Sequence, residues 1–345
     1  MTRLATLLVA FGVLSFVVSS SSGATRRGYE SSIATPGLVT KVAADGQRVA
    51  VMTTKIKGAC GKVVVWNTRR AKTTSFKTSE ACPHADVAVI PFTVDQLALG
   101  DGQAAWIGST GGNETEVLVY AASLATGKAK EVDFRTHDST SGEGDDAQRL
   151  LGGGSVLAYN RLLGCVEDSN GGFSCDVRLV RIHGLHATTI AKGQMLAAVG
   201  GARLAVTSTA GVALLRADGS QVASVADSVT PGTSFAAGST RLAVSSSSTL
   251  DVYDAVSGAK LGSIPLGTAA SLELIGVNTR LALLRGRGST ALVRLSDSKR
   301  VSLSLKGIVD ARLTEAGLFY AYNTPAAARK GHVVFEPTAK LLARF

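Results

Sequence analysis

Residues 202–220 read ARLAVTSTAGVALLRADGS, and thirty-eight residues later 240–258 read TRLAVSSSSTLDVYDAVSG. Each copy opens on an arginine (Arg203, Arg241) and an uncharged Leu-Ala-Val run. It then crosses a polar turn, enters a second strand-like stretch and closes on Asp218-Gly219 or Ser257-Gly258. A short continuous apolar run between turn residues reads as a strand buried on both faces. The alternation of LDVYDA reads as a strand with one wetter face. Glycine at the tight turns supplies the positive φ that a short hairpin connection demands. The two stretches are hairpins written to one plan.

The plan extends along the chain. Copies of the first strand are DGQRVAVM (45–52), DGQAAWIG (101–108), GGSVLAYN (153–160), GARLAVTS (201–208), STRLAVSS (239–246), NTRLALLR (278–285) and EAGLFYAY (315–322). Each is followed by a partner, as KVVVWNT (62–68), LDVYDAV (250–256) and GHVVFEP (331–337) illustrate. With Val49, Ala105, Val156, Leu204, Leu242, Leu281 and Leu318 as markers, the spacings are 56, 51, 48, 38, 39 and 37. A period near 40 with four short strands per unit is what a β-propeller blade needs. The expected fold is therefore all-β: a single seven-bladed β-propeller of four-stranded antiparallel blades over 38–345. Segment 25–37 reads as a linker or an outer strand of the last blade, and 340–345 as a final strand-like run.

VVVWNTRRAK and LDVYDAVSGAK, with the turn and strand that follow, resemble the repeats of bacterial WD40-like, YncE-like and quinoprotein-like propellers. The resemblance covers nearly the whole mature chain and implies the propeller fold. It does not carry over quinone chemistry, because YDAVSGAKLGS lacks the closing Trp and the chain has no adjacent cysteines. The Trp-Asp dipeptide of WD40 units is also missing.

The N-terminus reads as an export signal. Arg3 gives a positive start, 4–18 is an apolar core, and Ser22-Gly23-Ala24 offers the small residues of a cleavage site. An uncleaved anchor is the alternative, although the run is shorter than the ~20 apolar residues of a spanning helix. A cleaved 1–24 implies a secreted or cell-envelope protein with no transmembrane span in the mature chain. Apolar residues make up 45% and aromatics 5%, so the core must come from Val, Leu, Ala and Ile. The net charge of +10 is concentrated: 37–78 carries nine basic residues against Asp45 alone. Such a stripe suits either an anionic polymer or a solvated strand edge that resists aggregation. Four cysteines in an exported chain suggest two disulfides. Cys165 and Cys175 bracket a Gly/Asn turn, which leaves Cys60 to pair with Cys82.

Antiparallel strands running outward place the connection between second and third strands on the same face as the connection to the next blade. The extra length of the first three units falls in those connections, and 323–330 adds to it from the last unit. Loops on a rigid scaffold concentrate binding residues. The candidates there are His84 and Asp86 in CPHAD, and His137, Asp138, Glu143 and Asp145 in THDSTSGEGDD. The second group lacks the alternating acidic frame of a calcium loop, and no metal or cofactor is expected. His183 and His186 read as a strand end and turn rather than a zinc pair. No phosphate loop and no nucleophile elbow of G-x-S-x-G form occurs. The expectation is an exported, non-catalytic binding or scaffold propeller. It would recognise a protein or an anionic envelope polymer, without specific nucleic-acid binding, through the long-loop face of blades 7, 1, 2 and 3. The alternative is a glycoside-type hydrolase or lyase with carboxylates at the channel mouth.

Overall fold

A computed structural model describes residues 31–54, 61–78, 92–168, 172–246, 248–267, 272–286, 288–305, 307–325 and 330–345. The signal-like segment, Cys60, Cys82, His84 and Asp86 lie outside the described residues.

After β1 (Ser32–Ala34) the chain builds antiparallel sheets in strict succession. β2 (Leu38–Asp45), β3 (Arg48–Thr54), β4 (Lys62–Asn67) and β5 (Lys72–Lys77) form one. Next come β6 (Thr93–Gly100), β7 (Gln103–Gly111), β8 (Glu114–Ser123) and β9 (Ala129–Asp138), then β10 (Gly144–Gly153), β11 (Val156–Glu167), β12 (Phe173–His183) and β13 (His186–Lys192). These eight are continuous only through one register pair, His137 with Gly144. Further four-stranded sheets are β14 (Met195–Gly200), β15 (Arg203–Ser208), β16 (Gly211–Arg216) and β17 (Gln221–Ala226), and β18 (Ser234–Ala237), β19 (Arg241–Ser245), β20 (Thr249–Asp254) and β21 (Lys260–Pro265). They are followed by β22 (Glu273–Val277), β23 (Leu281–Gly286), β24 (Ser289–Arg294) and β25 (Arg300–Leu303). β26 (Ile308–Leu313), β27 (Gly317–Asn323) and β28 (Gly331–Pro337) make the last sheet, and β1 adds its fourth strand, with Ser32 opposite Val334.

The first strands β2, β6, β10, β14, β18, β22 and β26 touch in that order, and β26 touches β2. The sheets thus stand around a common bore, in a propeller-like all-β arrangement. The uncharged runs do what their sequence implies. Val49, Ala105, Val156, Leu204, Leu242, Leu281 and Leu318 are all buried, and the clusters around them pair each sheet with the next. Third strands range from a continuous buried run in β4 to near-alternation in β20 and β28, and outer strands such as β21 are mostly exposed. This gradient follows distance from the bore. Trp66 and Trp106 are core residues, the latter donating its indole N–H to Thr78 O at 2.7 Å.

Two details differ from or complete the sequence reading. Ser32–Ala34, before Leu38, pair with β28 on the last sheet. The strand-like run at 340–345 is instead part of a short helix, α1 (Thr338–Leu342). The helix plants Leu341 in the core while Arg344 grips Glu336 at 2.7 and 2.8 Å. Among the described residues no helix is long and apolar enough to cross a membrane.

Candidate functional site

The bore has two unlike ends. All first strands run in the same direction through it, since residues at their starts line one space and their finishing turns line another. Their starting ends carry charge, and their finishing ends carry glycine-rich turns. A cavity of about 450 Å³ fills the starting end and the middle. Its charged lining is Lys41, Asp95, Glu273, Arg285, Asp310 and Arg312.

A repeated backbone irregularity shapes this mouth. The pairing of first with second strand slips between Val39 and Lys41, Val94 and Gln96, Gln148 and Leu151, Leu196 and Ala198, Leu274 and Gly276, and Ile308 and Asp310. Only β18 with β19 pairs without a slip. A bulge leaves an extra residue unpaired, bends the strand and redirects a side chain. Asp95 is itself such an extra residue.

The charges around the mouth are not equivalent. On one side Arg285 donates to Glu273 at 2.9 Å and to Asp310 at 3.0 Å, and Arg312 reaches Asp310 at 2.7 Å. This four-membered chain is internally neutral and bridges β22, β23 and β26. On the other side Lys41 and Asp95 make no ion pair among the described residues, and Asp95 Oδ2 accepts a hydrogen bond from Ser109 Oγ at 2.9 Å. Asp146, on β10, is close enough to feel both Asp95 and His137. Burial pushes its carboxyl above the ordinary carboxylate range, and the Asp95 charge adds to this. The Ala147 N–H and His137 pull the other way. His137 Nδ1 is buried without a hydrogen-bond partner. Gly144 makes this crowding possible, since a Cβ there would sit 2.8 Å from Thr136 O and 2.9 Å from His137 Cα. A carboxyl held toward its neutral form beside an ionisable carboxyl and an imidazole can hold or pass a proton, or accept a cationic group.

Of the described residues in the stretch THDSTSGEGDD read from sequence, the structure brings His137 and Asp146 to this cluster. Asp138 builds the turn that follows β9: its Oδ1 accepts from Thr140 N (2.8 Å), Ser141 N (2.7 Å) and Ser141 Oγ (3.2 Å). Those donors hold its carboxyl below the usual range. Asp145 accepts from Gly164 N at 2.8 Å and lies 3.8 Å from Arg135. Glu143 is exposed. Cys165 and Cys175 are disulfide-bonded and brace the β11–β12 hairpin. His183 and His186 face each other across a turn, and His183 Nδ1 meets the Asp101 carboxylate. The described residues hold no group of three His, Cys, Asp or Glu suited to a metal. Sequence reasoning counted Lys41 only within the basic stripe of 37–78 and missed Asp95, Glu273, Arg285, Asp310 and Arg312. One signal was available: a charged residue inside or beside the short apolar stretch that opens a unit, as in LVTKVAAD, VDQLALG and IVDARL.

No family model and no curated protein matches the chain. Solved structures do. A prolyl endopeptidase structure aligns with a TM-score of 0.50 at 10% identity, over 84% of this chain and 46% of that one. The acylaminoacyl peptidase of Pyrococcus horikoshii aligns with a TM-score of 0.48 at 11% identity, over 84% of this chain and 49% of that one. The β-propeller domain of the trilobed protease from Pyrococcus furiosus, described as having an open velcro topology, aligns at 0.49 and 11% identity, over 83% and 91%. The chain therefore spans about half the length of the two peptidases. At such identities the likeness shows a shared fold. It also corrects the expectation of a non-catalytic binding or scaffold module reading an anionic polymer or protein, and its glycoside-type alternative. The structures of similar fold found in comparison include peptidases and a CNH domain.

Proposed function

We propose that this chain is a seven-bladed propeller, exported to the cell envelope or beyond, that serves a peptide-directed hydrolase by holding substrate at the charged end of its bore. Two things support the hydrolase setting: the bore's own chemistry and the peptidases among structures of similar fold. The seven-blade count rests on the ring of first strands in mutual contact. Export rests on the composition of residues 1–24, and the division into signal, outer strand and propeller follows from it.

The observation that carries the reading is the split mouth. One flank satisfies its own charges through Arg285 and Arg312, while Lys41 and Asp95 present both signs of charge beside a cavity. An unfolded peptide offers matching groups, ammonium and carboxylate, on a narrow extended chain. Lys41 would take a carboxylate and Asp95 an ammonium or guanidinium.

The test is binding of fluorescently labelled, unstructured peptides rich in Lys and Glu, followed by anisotropy. Lys41→Ala and Asp95→Asn each remove one charge-assisted contact, worth about 1.5–3 kcal/mol. Binding should weaken roughly tenfold or more, and the wild-type affinity should fall with added salt. Unchanged affinity in both variants, or no binding by the parent, would sink the proposal. Mass spectrometry on the same samples reports cleavage.

A further inference from the structure

Building on the peptide reading above, we infer that the bore is a blind vestibule. It accepts the free end of a peptide to a depth of about four residues and lets no chain pass through.

The inference comes from the end opposite the mouth. There the hairpin turns between first and second strands pack backbone against backbone. A Cβ on Gly154 would lie 2.1 Å from Gly201 O, one on Gly200 2.3 Å from Gly238 O, and one on Gly238 2.6 Å from Val277 O. Four successive turns thus approach as closely as glycine alone permits. Two carboxylates then lash turns that are not neighbours. Asp45, on the β2–β3 turn, accepts Gly154 N–H at 2.8 Å, passing over the β6–β7 turn, whose Asp101 N–H meets Gly154 O at 2.7 Å. Glu315, on the β26–β27 turn, accepts from Ser239 Oγ at 2.8 Å and from Thr279 N and Oγ1 at 3.1 and 2.7 Å. Thr314 Oγ1 joins the last turn to the first by donating to Gly46 O at 2.8 Å. The space left at this end is about 150 Å³, against about 450 Å³ on the mouth side.

Depth and width then select the ligand. From Lys41 at the mouth to Asp45 at the floor is four strand residues, about 13 Å at ~3.3 Å per residue. An extended peptide has the same rise, so about four of its residues fill the bore. Between the two ends the walls are largely apolar, with Ala43, Ala98, Ala198 and Phe235 among them, and Arg312, level with Ala43, is turned back onto Asp310 at 2.7 Å. An internal segment could enter a one-ended bore only by doubling back. That needs two strands about 4.8 Å apart with their side chains, twice the section of a single chain end.

The experiment compares a short linear peptide carrying both Lys and Glu with its head-to-tail cyclised form, by competition in the anisotropy assay. The cyclised form should bind at least about tenfold more weakly. A second arm attaches a bulky maleimide at either end of the bore. On Gln47→Cys, at the turn end, the label should leave linear-peptide affinity within about twofold. On Lys41→Cys it should weaken binding well beyond the substitution itself. Equal affinity of linear and cyclised peptides, or loss of binding on labelling Gln47→Cys, would overturn the blind vestibule while leaving the peptide reading standing. Failure of both peptides to bind would remove the peptide reading and this inference with it.

Discussion

Asp138, Asp145 and Asp146 share one short polar loop-and-strand stretch and have three different fates. Asp138 closes a turn with three donors, Asp145 secures Gly164 N–H, and Asp146 is desolvated near His137 and Asp95. The last has a consequence for stability. A carboxyl whose folded pKa is raised binds its proton more tightly in the folded state. Stability therefore falls as pH rises from the unfolded to the folded pKa, and the penalty stays in place above that. Asp146→Asn removes the penalty. It should raise the urea midpoint at pH 7, with the gain shrinking as pH falls and vanishing below the ordinary carboxylate value of about 3.9. A gain that persists at low pH would show that packing, not charge, sets the effect. The loop's acidity was legible in sequence; which carboxyl would lose its water was not, because desolvation is imposed by neighbours on other strands.

At the scale of elements, the apolar second strands were readable because burial on both faces leaves an uncharged run, and local turns mark its ends. The bulges in the first strands were not readable. They follow from fitting a twisted strand to a crowded axis, and no residue type announces them. The join between β9 and β11 is similar. Asp133, buried, accepts from Tyr159 OH at 2.5 Å, Arg161 Nε at 2.8 Å and Arg135 at 2.6 Å. Burial and the Asp133 charge hold the Tyr159 phenol protonated far above its ordinary range. Removing one partner from such a network leaves the others uncompensated, a loss of about 3–5 kcal/mol. Asp133→Ala should lower unfolding free energy by about 3 kcal/mol in chemical denaturation. A change below about 1 kcal/mol would mean the arginines find water instead.

For the whole molecule, the joint between last and first sheets decides whether the arrangement holds together. β1 supplies a strand of three residues, and Asn323 adds a clamp from the interior side. Its Oδ1 accepts Val39 N–H at 2.8 Å, and its Nδ2 donates to Val39 O at 3.0 Å. Asn160 makes the same kind of two-way contact between β11 and β14, with Leu196 N and Gln194 O. Asn323→Ala leaves the Val39 amide without a partner in a buried site, which costs about 1–3 kcal/mol. Hydrogen exchange should show the loss first at β1, β2 and β28; protection unchanged there would place the closing strength in β1 alone.

By itself the sequence determined that short strands repeat, which of them are buried and where hairpins turn, because periodicity and turn chemistry act between residues near in the chain. The mouth of the bore was decided only by tertiary structure. Lys41, Asp95, Arg285 and Asp310 come from separate sheets, and each is an ordinary surface-type residue until closure of the ring sets them around one space. Charge pairing, loss of hydration and a cavity are properties of that enclosure, and no stretch of chain contains them.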